Sequence, residues 1–304
     1  MDNDETLDAF LRRAVRMRAV SARTARELNK IISEADGDTV AALAKRLRGV
    51  RSLETTIEAV NEIRRDAHGR LSGKMVADLT PMIKGEAEFV SGFGRARKFG
   101  RATLAGIVSS VLTRPADGLT VDGHLAALQL SDTTRTARLV RSAVTAGQGV
   151  GQVIGGLRQT VFPRTAKYVL GTARTIYAHS QATVLDNVAS TDLDDLRGLR
   201  WTSVLDGKTS AICRARSGEV YQPFEGPRPP AHFNYRSVMV PVFINGGDVI
   251  EPSYEQWLSR QPRGFVEEVM GKRKGDIFRS GDISLDRFVD SAGRELRVDE
   301  LPSA

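Results

Sequence analysis

The chain has 304 residues, of which 41% are hydrophobic and 27% are charged, and its formal net charge at neutral pH is +7. These values argue against wholesale disorder and leave room for two domains, or for one domain with a long helical extension. The single cysteine excludes an intramolecular disulfide and any cysteine-rich metal cluster.

The positive charge is carried mostly by arginines dispersed along the chain, a residue whose planar guanidinium suits phosphate contacts. Either a solvated basic surface or proximity to nucleic acid accounts for this charge. The first ten residues, MDNDETLDAF, are acidic and do not have the pattern of a secretory signal peptide. Because no apolar run reaches 18 residues, we expect no membrane span and a protein that folds in a cytoplasm.

Apolar side chains recur at three- and four-residue steps through the first two thirds of the chain, which predicts amphipathic helices. The predicted helices cover residues 4–32, a second stretch from about 38 to 66 between breaks at Asp36-Gly37-Asp38 and Ala67-His68-Gly69, and then residues 72–89, 131–145, 153–161 and 163–189. Three glycine-containing segments, 69–75, 91–101 and 147–151, lack the spacing of a phosphate-binding loop, and we interpret them as turns, hinges or helix junctions.

The pattern of residue types changes at Gly198, after which short β-prone runs alternate with proline-rich turns. The predicted strands are Trp201–Leu205, Val220–Tyr221 and Val238–Ile244, followed by a helix over Tyr254–Met270 and short strands at 283–289 and 296–298. The predicted fold class is therefore α+β, with predominantly helical N-terminal and middle regions and a small β-rich C-terminal motif.

Cys213 and His232 are the main candidates for chemistry. A nucleophilic pair oriented by Asn234 or Asp206 is conceivable, but a single cysteine is more often a buried small apolar side chain. A His-Asn-His nuclease is disfavoured because no histidine follows residue 232. Zinc needs four nitrogen or sulfur ligands, and only this one pair is close in sequence. We therefore expect no catalytic residue, no metal and no cofactor, and a structural, hydrogen-bonded His232.

An ordered series of short motifs resembles the Mu F-like, phage head morphogenesis family of minor head proteins. The series covers roughly residues 130–300 and consists of Ala173-Arg174-Thr175; Trp201, Asp206-Gly207-Lys208-Thr209, Cys213, Gly218, Pro229-Pro230, His232, Asn234, Arg236 and Pro241-Val242; and a C-terminal segment with Tyr254, Trp257, Gly271, Phe278, Gly281 and Phe288. The resemblance implies a head morphogenesis domain at 121–250 and a helix and short-strand extension at 251–304. The helical region at 1–120 rests on periodicity alone and is a candidate for contact with portal, capsid or DNA.

The chain departs from the family at positions where cysteines are usual. Those four positions hold Ser210, Cys213, Tyr235 and Ser237, so a cysteine-based zinc site cannot form. We expect hydrogen bonds and charge pairs to hold the loop instead, with a bidentate pair between an aspartate and an arginine beneath the proline-rich turn. The positions expected to hold this structural motif are Arg174, Thr175, Trp201, Asp206, Thr209, Cys213, His232, Asn234 and Arg236.

The resemblance implies a non-enzymatic minor capsid protein of a tailed phage or prophage. Such a protein is recruited to the procapsid near the portal, acts in head assembly and accompanies or leaves with the packaged genome. Its implied partners are the portal protein, the major capsid or scaffold protein and non-specific double-stranded DNA. Its implied location is the capsid interior or portal vertex, and it is in the host cytoplasm during assembly. Its oligomeric state would be set by the capsid. The DNA-contact candidates are Arg95, Arg97, Lys98 and Arg101, followed by Arg135, Arg138 and Arg141. Two alternatives remain open: a Mu F-like domain of a toxin or modifying enzyme, and a portal or scaffold adaptor that does not touch DNA.

Overall fold

The structure is a computed structural model that describes residues 2–47, 52–94, 103–233, 236–249, 252–290 and 294–301. Within these ranges the helices are α1 (Asn3–Arg46), α2 (Leu53–Ser91), α3 (Leu104–Thr113), α4 (Val121–Thr145), α5 (Val150–Gly156), α6 (Phe162–Asp192), α7 (Ala211–Arg216), α8 (Tyr254–Ser259), α9 (Arg263–Met270) and α10 (Lys272–Ser280). One turn of π-helix, Leu157–Val161, lies between α5 and α6, and two 3₁₀ turns cover Leu285–Phe288 and Val298–Glu300. The predicted α+β class is confirmed.

The chain forms two compact units, each assembled from segments that are distant in sequence. The sheet unit contains Met1–Val15, Glu86–Ile107 and Ala178–Ala304, and the helical unit contains Arg16–Gly85 and Val108–Tyr177. The division into regions at 1–120, 121–250 and 251–304 stays a prediction.

Two helix breaks predicted from glycine are wrong. The helix α1 continues through Asp36-Gly37-Asp38, and α2 continues through Ala67-His68-Gly69 and the whole of segment 69–75. A side chain at Gly37, Gly69 or Gly73 would meet nothing within 4 Å, so these glycines face open space. A helical glycine costs only about 1 kcal/mol, and the packing on either side of these positions outweighs that cost.

The helical unit has an apolar core that includes Leu43, Val60, Val140 and Leu157. Beside it lies a buried polar network centred on Arg64, whose side chain is 0% exposed. Arg64 donates to both carboxylate oxygens of Asp132 at 2.8 Å from Nε and 2.8 Å from Nη2, and it also donates to Asp36. The network therefore connects α1, α2 and α4 through a single guanidinium.

Two more side chains complete the coordination of Asp132. His68 Nε2 lies 2.8 Å from Oδ2, and the hydroxyl of Thr165 donates to Oδ1 at 2.6 Å. Burial by itself would raise the pKa of Asp132, but the hydrogen bond from His68, the charge of Arg64 and the hydroxyl of Thr165 outweigh it and lower the pKa. Asp132 is therefore held in its charged form inside the helical unit.

The sheet unit contains a three-stranded antiparallel sheet in the order β2-β1-β3, formed by β1 (Leu196–Thr202), β2 (Val220–Tyr221) and β3 (Val238–Phe243). The strand β1 is central, and Leu199 pairs with Tyr221 on one side and Pro241 on the other. Pro241 is tolerated because β3 pairs only with β1 in this sheet. The predicted β2 has the observed bounds, whereas β1 begins five residues before the predicted strand and ends at Thr202.

The first turn of α1 contacts the end of β3 through Asn3. The amide of Asn3 donates to the carbonyl oxygens of Phe243 (3.1 Å) and Gly247 (2.6 Å), and its side-chain oxygen accepts from the backbone nitrogen of Phe243 at 2.8 Å. The backbone nitrogen of Asn3 also donates to Gly246 at 2.9 Å. The residue is 1% exposed, so these four bonds are sheltered from water.

The C-terminal segment packs as short helices around Tyr254, Leu258, Val266 and Phe278. The predicted single helix over Tyr254–Met270 is wrong, because α8 ends at Ser259 and α9 begins after Pro262, a residue that favours a helix start. The predicted short strands at 283–289 and 296–298 are also wrong. This segment forms the two 3₁₀ turns and one isolated bridge, Val289 with Glu295.

Candidate functional site

The motif loop is defined as residues 201–233 and 236–237; it runs from the last two residues of β1 to the start of β3 and contains α7 and β2. It is anchored by Trp201, which is 0% exposed. The backbone nitrogen of Trp201 donates to Glu219 at 2.8 Å, and its carbonyl oxygen accepts from Gly218 at 2.8 Å. The guanidinium of Arg216 lies 5.2 Å from the centre of the indole ring, a cation–π distance. The backbone of Trp201 therefore ties β1 to the segment that follows α7, and its ring packs against the last residue of α7.

Asp206 and Arg236 form a bidentate pair within this loop. Arg236 Nη1 donates to Asp206 Oδ2 at 2.8 Å, and Nη2 donates to Oδ1 at 2.9 Å. Asp206 Oδ1 also accepts from the backbone nitrogen of Lys208 (2.9 Å) and the hydroxyl of Thr209 (3.2 Å), while Tyr254 donates to the Asp206 carbonyl at 2.7 Å. The hydrogen bond from Arg236, set against a smaller effect of burial, lowers the pKa of Asp206. The aspartate–arginine pair expected from the sequence is thus present.

Cys213, His232 and Ser210 form a compact polar cluster beside this pair. His232 Nε2 lies 2.9 Å from Ser210 Oγ and 3.7 Å from Cys213 Sγ, and His232 Nδ1 lies 2.9 Å from the Phe233 carbonyl oxygen. Cys213 is 3% exposed, and its carbonyl oxygen accepts from Ser203 Oγ at 2.6 Å. His232 is therefore held by hydrogen bonds on both ring nitrogens.

The thiol of Cys213 has opposing influences on its ionisation. Burial raises its pKa, but the hydrogen bonds from His232, Ser210 and Ser237 outweigh burial, and the net pKa is lowered. The thiol, the imidazole and the serine hydroxyl line a cavity of about 330 Å³, together with Lys208, Arg236 and Ser237. Two cationic side chains thus face the same space as the cysteine.

A second aspartate–arginine pair holds the proline-rich part of the loop, and the sequence analysis did not find it. Asp186 on α6 is 0% exposed in its side chain, and its Oδ1 accepts from Arg228 Nε at 2.8 Å and from the backbone nitrogen of Phe224 at 3.2 Å. Arg228 also donates to the carbonyl oxygen of Gln222. These bonds attach the turn at 222–228 to α6.

The remaining predicted motif positions are Thr209, Arg174, Thr175 and Asn234. Thr209 donates to the Val204 carbonyl and so closes the turn that carries Asp206. Arg174 and Thr175 lie on α6 in the helical unit, where Thr175 is fully buried. Asn234 lies outside the described residues, as do the first set of DNA candidates, Arg95, Arg97, Lys98 and Arg101.

The second set of DNA candidates divides between two environments in the helical unit. Arg135 lies with its guanidinium 5.8 Å from the ring centre of Tyr168 and is half-buried. Arg138 and Arg141 are exposed and line a groove of about 830 Å³ between α2 and α4, which Arg65 also lines. Arg141 is paired with Glu54 of α2 at 2.8 Å. The groove has threonine and serine hydroxyls along the α4 side: Thr133, Thr134, Ser142 and Thr145.

Among the described residues, no group of three histidine, cysteine, aspartate or glutamate side chains is arranged to hold a metal ion. In that same part of the chain, no helix is both long and apolar enough to cross a membrane.

The chain was compared with protein-family models, with curated proteins and with solved structures, and no match was found in any of the three.

Proposed function

We propose that this protein is a minor capsid protein of a tailed phage or prophage that acts in head assembly near the portal. The observation that carries the proposal is the ordered motif series of the loop, which resembles the Mu F-like, phage head morphogenesis family. Trp201, Asp206, Thr209, Cys213 and Arg236 of that series all contribute to one hydrogen-bonded loop in the sheet unit. Residues that are distant from one another in the motif series therefore stabilise the same loop.

The geometry of Asp206 favours a structural role for the loop over a catalytic one. Its carboxylate is bound bidentately by Arg236, and Oδ1 accepts a further hydrogen bond from the backbone nitrogen of Lys208. A general base works best with a pKa near the operating pH, whereas the hydrogen bond from Arg236 lowers the pKa of Asp206. The carboxylate is thus committed to closing the turn.

The proposal predicts that the protein is a component of the virion. We expect mass spectrometry of purified particles to detect it at a few copies per particle, in procapsids as well as in mature heads. Comparison of full virions with particles emptied of DNA then separates two fates: loss on emptying indicates ejection with the genome, and retention indicates a fixed position in the head. Absence from procapsids and virions alike would refute the proposal.

We further propose that the groove between α2 and α4 contacts the phosphate backbone of packaged DNA. Arg138 supplies charge, Arg65 and Arg141 add charges that they share with Glu58 and Glu54, and the hydroxyls of Thr134 and Thr145 supply donors for phosphate oxygens. Contacts of this kind are independent of base sequence and weaken steeply as salt increases, because each neutralised phosphate releases counterions.

The groove makes a prediction about salt dependence. We expect Arg138→Gln combined with Arg141→Gln to reduce the slope of log affinity against log salt concentration by about 2, since each lost phosphate contact contributes about 0.9. Fluorescence anisotropy with a labelled 30-base-pair duplex measures it. The control is Arg12→Gln combined with Arg279→Gln, which removes the same charge from exposed positions outside the groove. Equal slopes for the two double variants would exclude the groove as the DNA contact, and the absence of salt-dependent binding by the unsubstituted protein would favour the DNA-independent adaptor.

A further inference from the structure

The cysteine–histidine pair of the motif loop has the geometry of an activated nucleophile. A carbonyl oxygen can only accept, so the contact of 2.9 Å between His232 Nδ1 and Phe233 places the ring proton on Nδ1. Nε2 of the neutral ring then carries one lone pair, which lies 2.9 Å from Ser210 Oγ and 3.7 Å from Cys213 Sγ, so the serine hydroxyl and the thiol are alternative donors to it. Nucleophile, base and an acceptor that orients the base are thus present in sequence order 213, 232, 233.

The surroundings of the sulfur favour a charged thiolate and an anionic ligand. Cys213 and His232 both line the cavity of about 330 Å³, and Lys208 and Arg236 line it too; Asp206 balances the charge of Arg236, so Lys208 supplies the positive charge. The pKa of Cys213 is lowered in spite of its burial. An ordinary thiol, with a pKa of about 8.5, is only about 3% ionised at pH 7, so a lowered pKa increases the reactive fraction directly.

We propose that Cys213 and His232 form a thiolate–imidazolium pair that undergoes exchange with small anionic disulfides entering this cavity. Nε2 of His232 accepts the thiol proton, and the Cys213 sulfur attacks one sulfur of the disulfide. The disulfide bond breaks as the new sulfur–sulfur bond forms, and the departing thiolate takes the proton from His232. One thiol and one disulfide are consumed, and one mixed disulfide and one thiol are produced, with no net oxidation.

This inference does not depend on the proposed role in the phage head. The loop can be structural in the virion and still hold a cysteine that is open to reversible modification. An experiment on virus particles tests the role in the phage head, and an experiment on the purified protein tests the disulfide exchange. Either proposal can therefore fail without the other.

The test is the rate of reaction with 5,5′-dithiobis(2-nitrobenzoate), a dianionic disulfide whose released thiolate is coloured. The native chain has one cysteine, so all colour beyond that of a Cys213→Ser control comes from the site. We expect a rate constant at pH 6.5 at least about tenfold above that of a free ordinary thiol, and a rate–pH midpoint below pH 8. We expect His232→Gln to lower the rate at pH 6.5 by at least about tenfold and to move the midpoint up.

A second comparison tests the cationic lining of the cavity. Lys208→Gln should slow the reaction with the dianionic probe several-fold and leave the reaction with neutral 2-hydroxyethyl disulfide unchanged, whereas Lys272→Gln, an exposed lysine on α10, should change neither.

If His232→Gln fails to fold, as judged by its circular dichroism, the pH profile of the native protein decides alone. The proposal is overturned if native Cys213 reacts only after denaturant is added. A midpoint in the ordinary thiol range also overturns it.

Discussion

Replacement of Arg64 with methionine is expected to destabilise the protein by roughly 3–5 kcal/mol, because removal of one partner from a buried ion pair leaves the other charge unpaired. Methionine has a similar length, so little volume is lost. What remains is Asp132, 1% exposed in its side chain, and Asp36, both without their guanidinium. Denaturation by guanidinium chloride, followed by far-ultraviolet circular dichroism, measures the loss.

The next residue on α2 is the matched control. Arg65 is 46% exposed and pairs with Glu58, so Arg65→Met removes the same charge at a position that water already screens. We expect little change from it. The triple variant Arg64→Met, Asp36→Asn, Asp132→Asn should recover part of the loss, because no buried charge is then left unpaired. Equal stabilities of Arg64→Met and Arg65→Met would contradict this account of the network.

Asp186→Ala is expected to cost roughly 3–5 kcal/mol and to release the proline-rich turn, because the side chain of Arg228 is only 8% exposed and loses its counter-charge. The backbone nitrogen of Phe224 loses its acceptor as well. Both tryptophans, Trp201 and Trp257, belong to the sheet unit, so the shift of the tryptophan fluorescence transition in denaturant reports this change. Limited proteolysis within 222–230 should accelerate at the same time.

Asp206→Ala provides the comparison, since it breaks the other aspartate–arginine pair of the same loop. Arg236 is 34% exposed and Asp206 is 38% exposed, so water compensates for much of the broken pair, and we expect a loss of about 1 kcal/mol. A loss as large as that of Asp186→Ala would show that burial does not rank the two pairs.

The sequence could predict the Asp206–Arg236 pair because both residues lie in one short, proline-rich segment with a recognisable spacing. It could not predict the Asp186–Arg228 pair, although that pair is more deeply buried. Asp186 lies within α6, where its sequence neighbours give no sign of a loop packed against the helix. The sequence places Cys213 and His232 nineteen residues apart, but whether both line a cavity depends on the fold of the whole loop.

The Arg64 network shows the same limit over a longer distance. Arg64 and Asp132 are 68 residues apart, and each is a charged residue in an otherwise ordinary helical pattern. Periodicity identifies the helix and its apolar face, but it cannot show that a charge on that helix is fully buried. The helix breaks predicted at residues 36–38 and 67–69 failed for a related reason. Asp36 and His68 lie within those predicted breaks. Both are partners in the network, and their contacts favour the continuous helices.

The contact between Asn3 and the end of β3 has a consequence for how the chain folds during synthesis. Its partners, Phe243 and Gly247, are 240 or more residues later in the chain. A ribosome must therefore make most of the protein before the first turn of α1 can dock, and contacts that close so long a loop form slowly. Until then the start of α1 stays available to other molecules. Once docked, Asn3 occupies backbone groups at the end of an edge strand that could otherwise pair with a second chain.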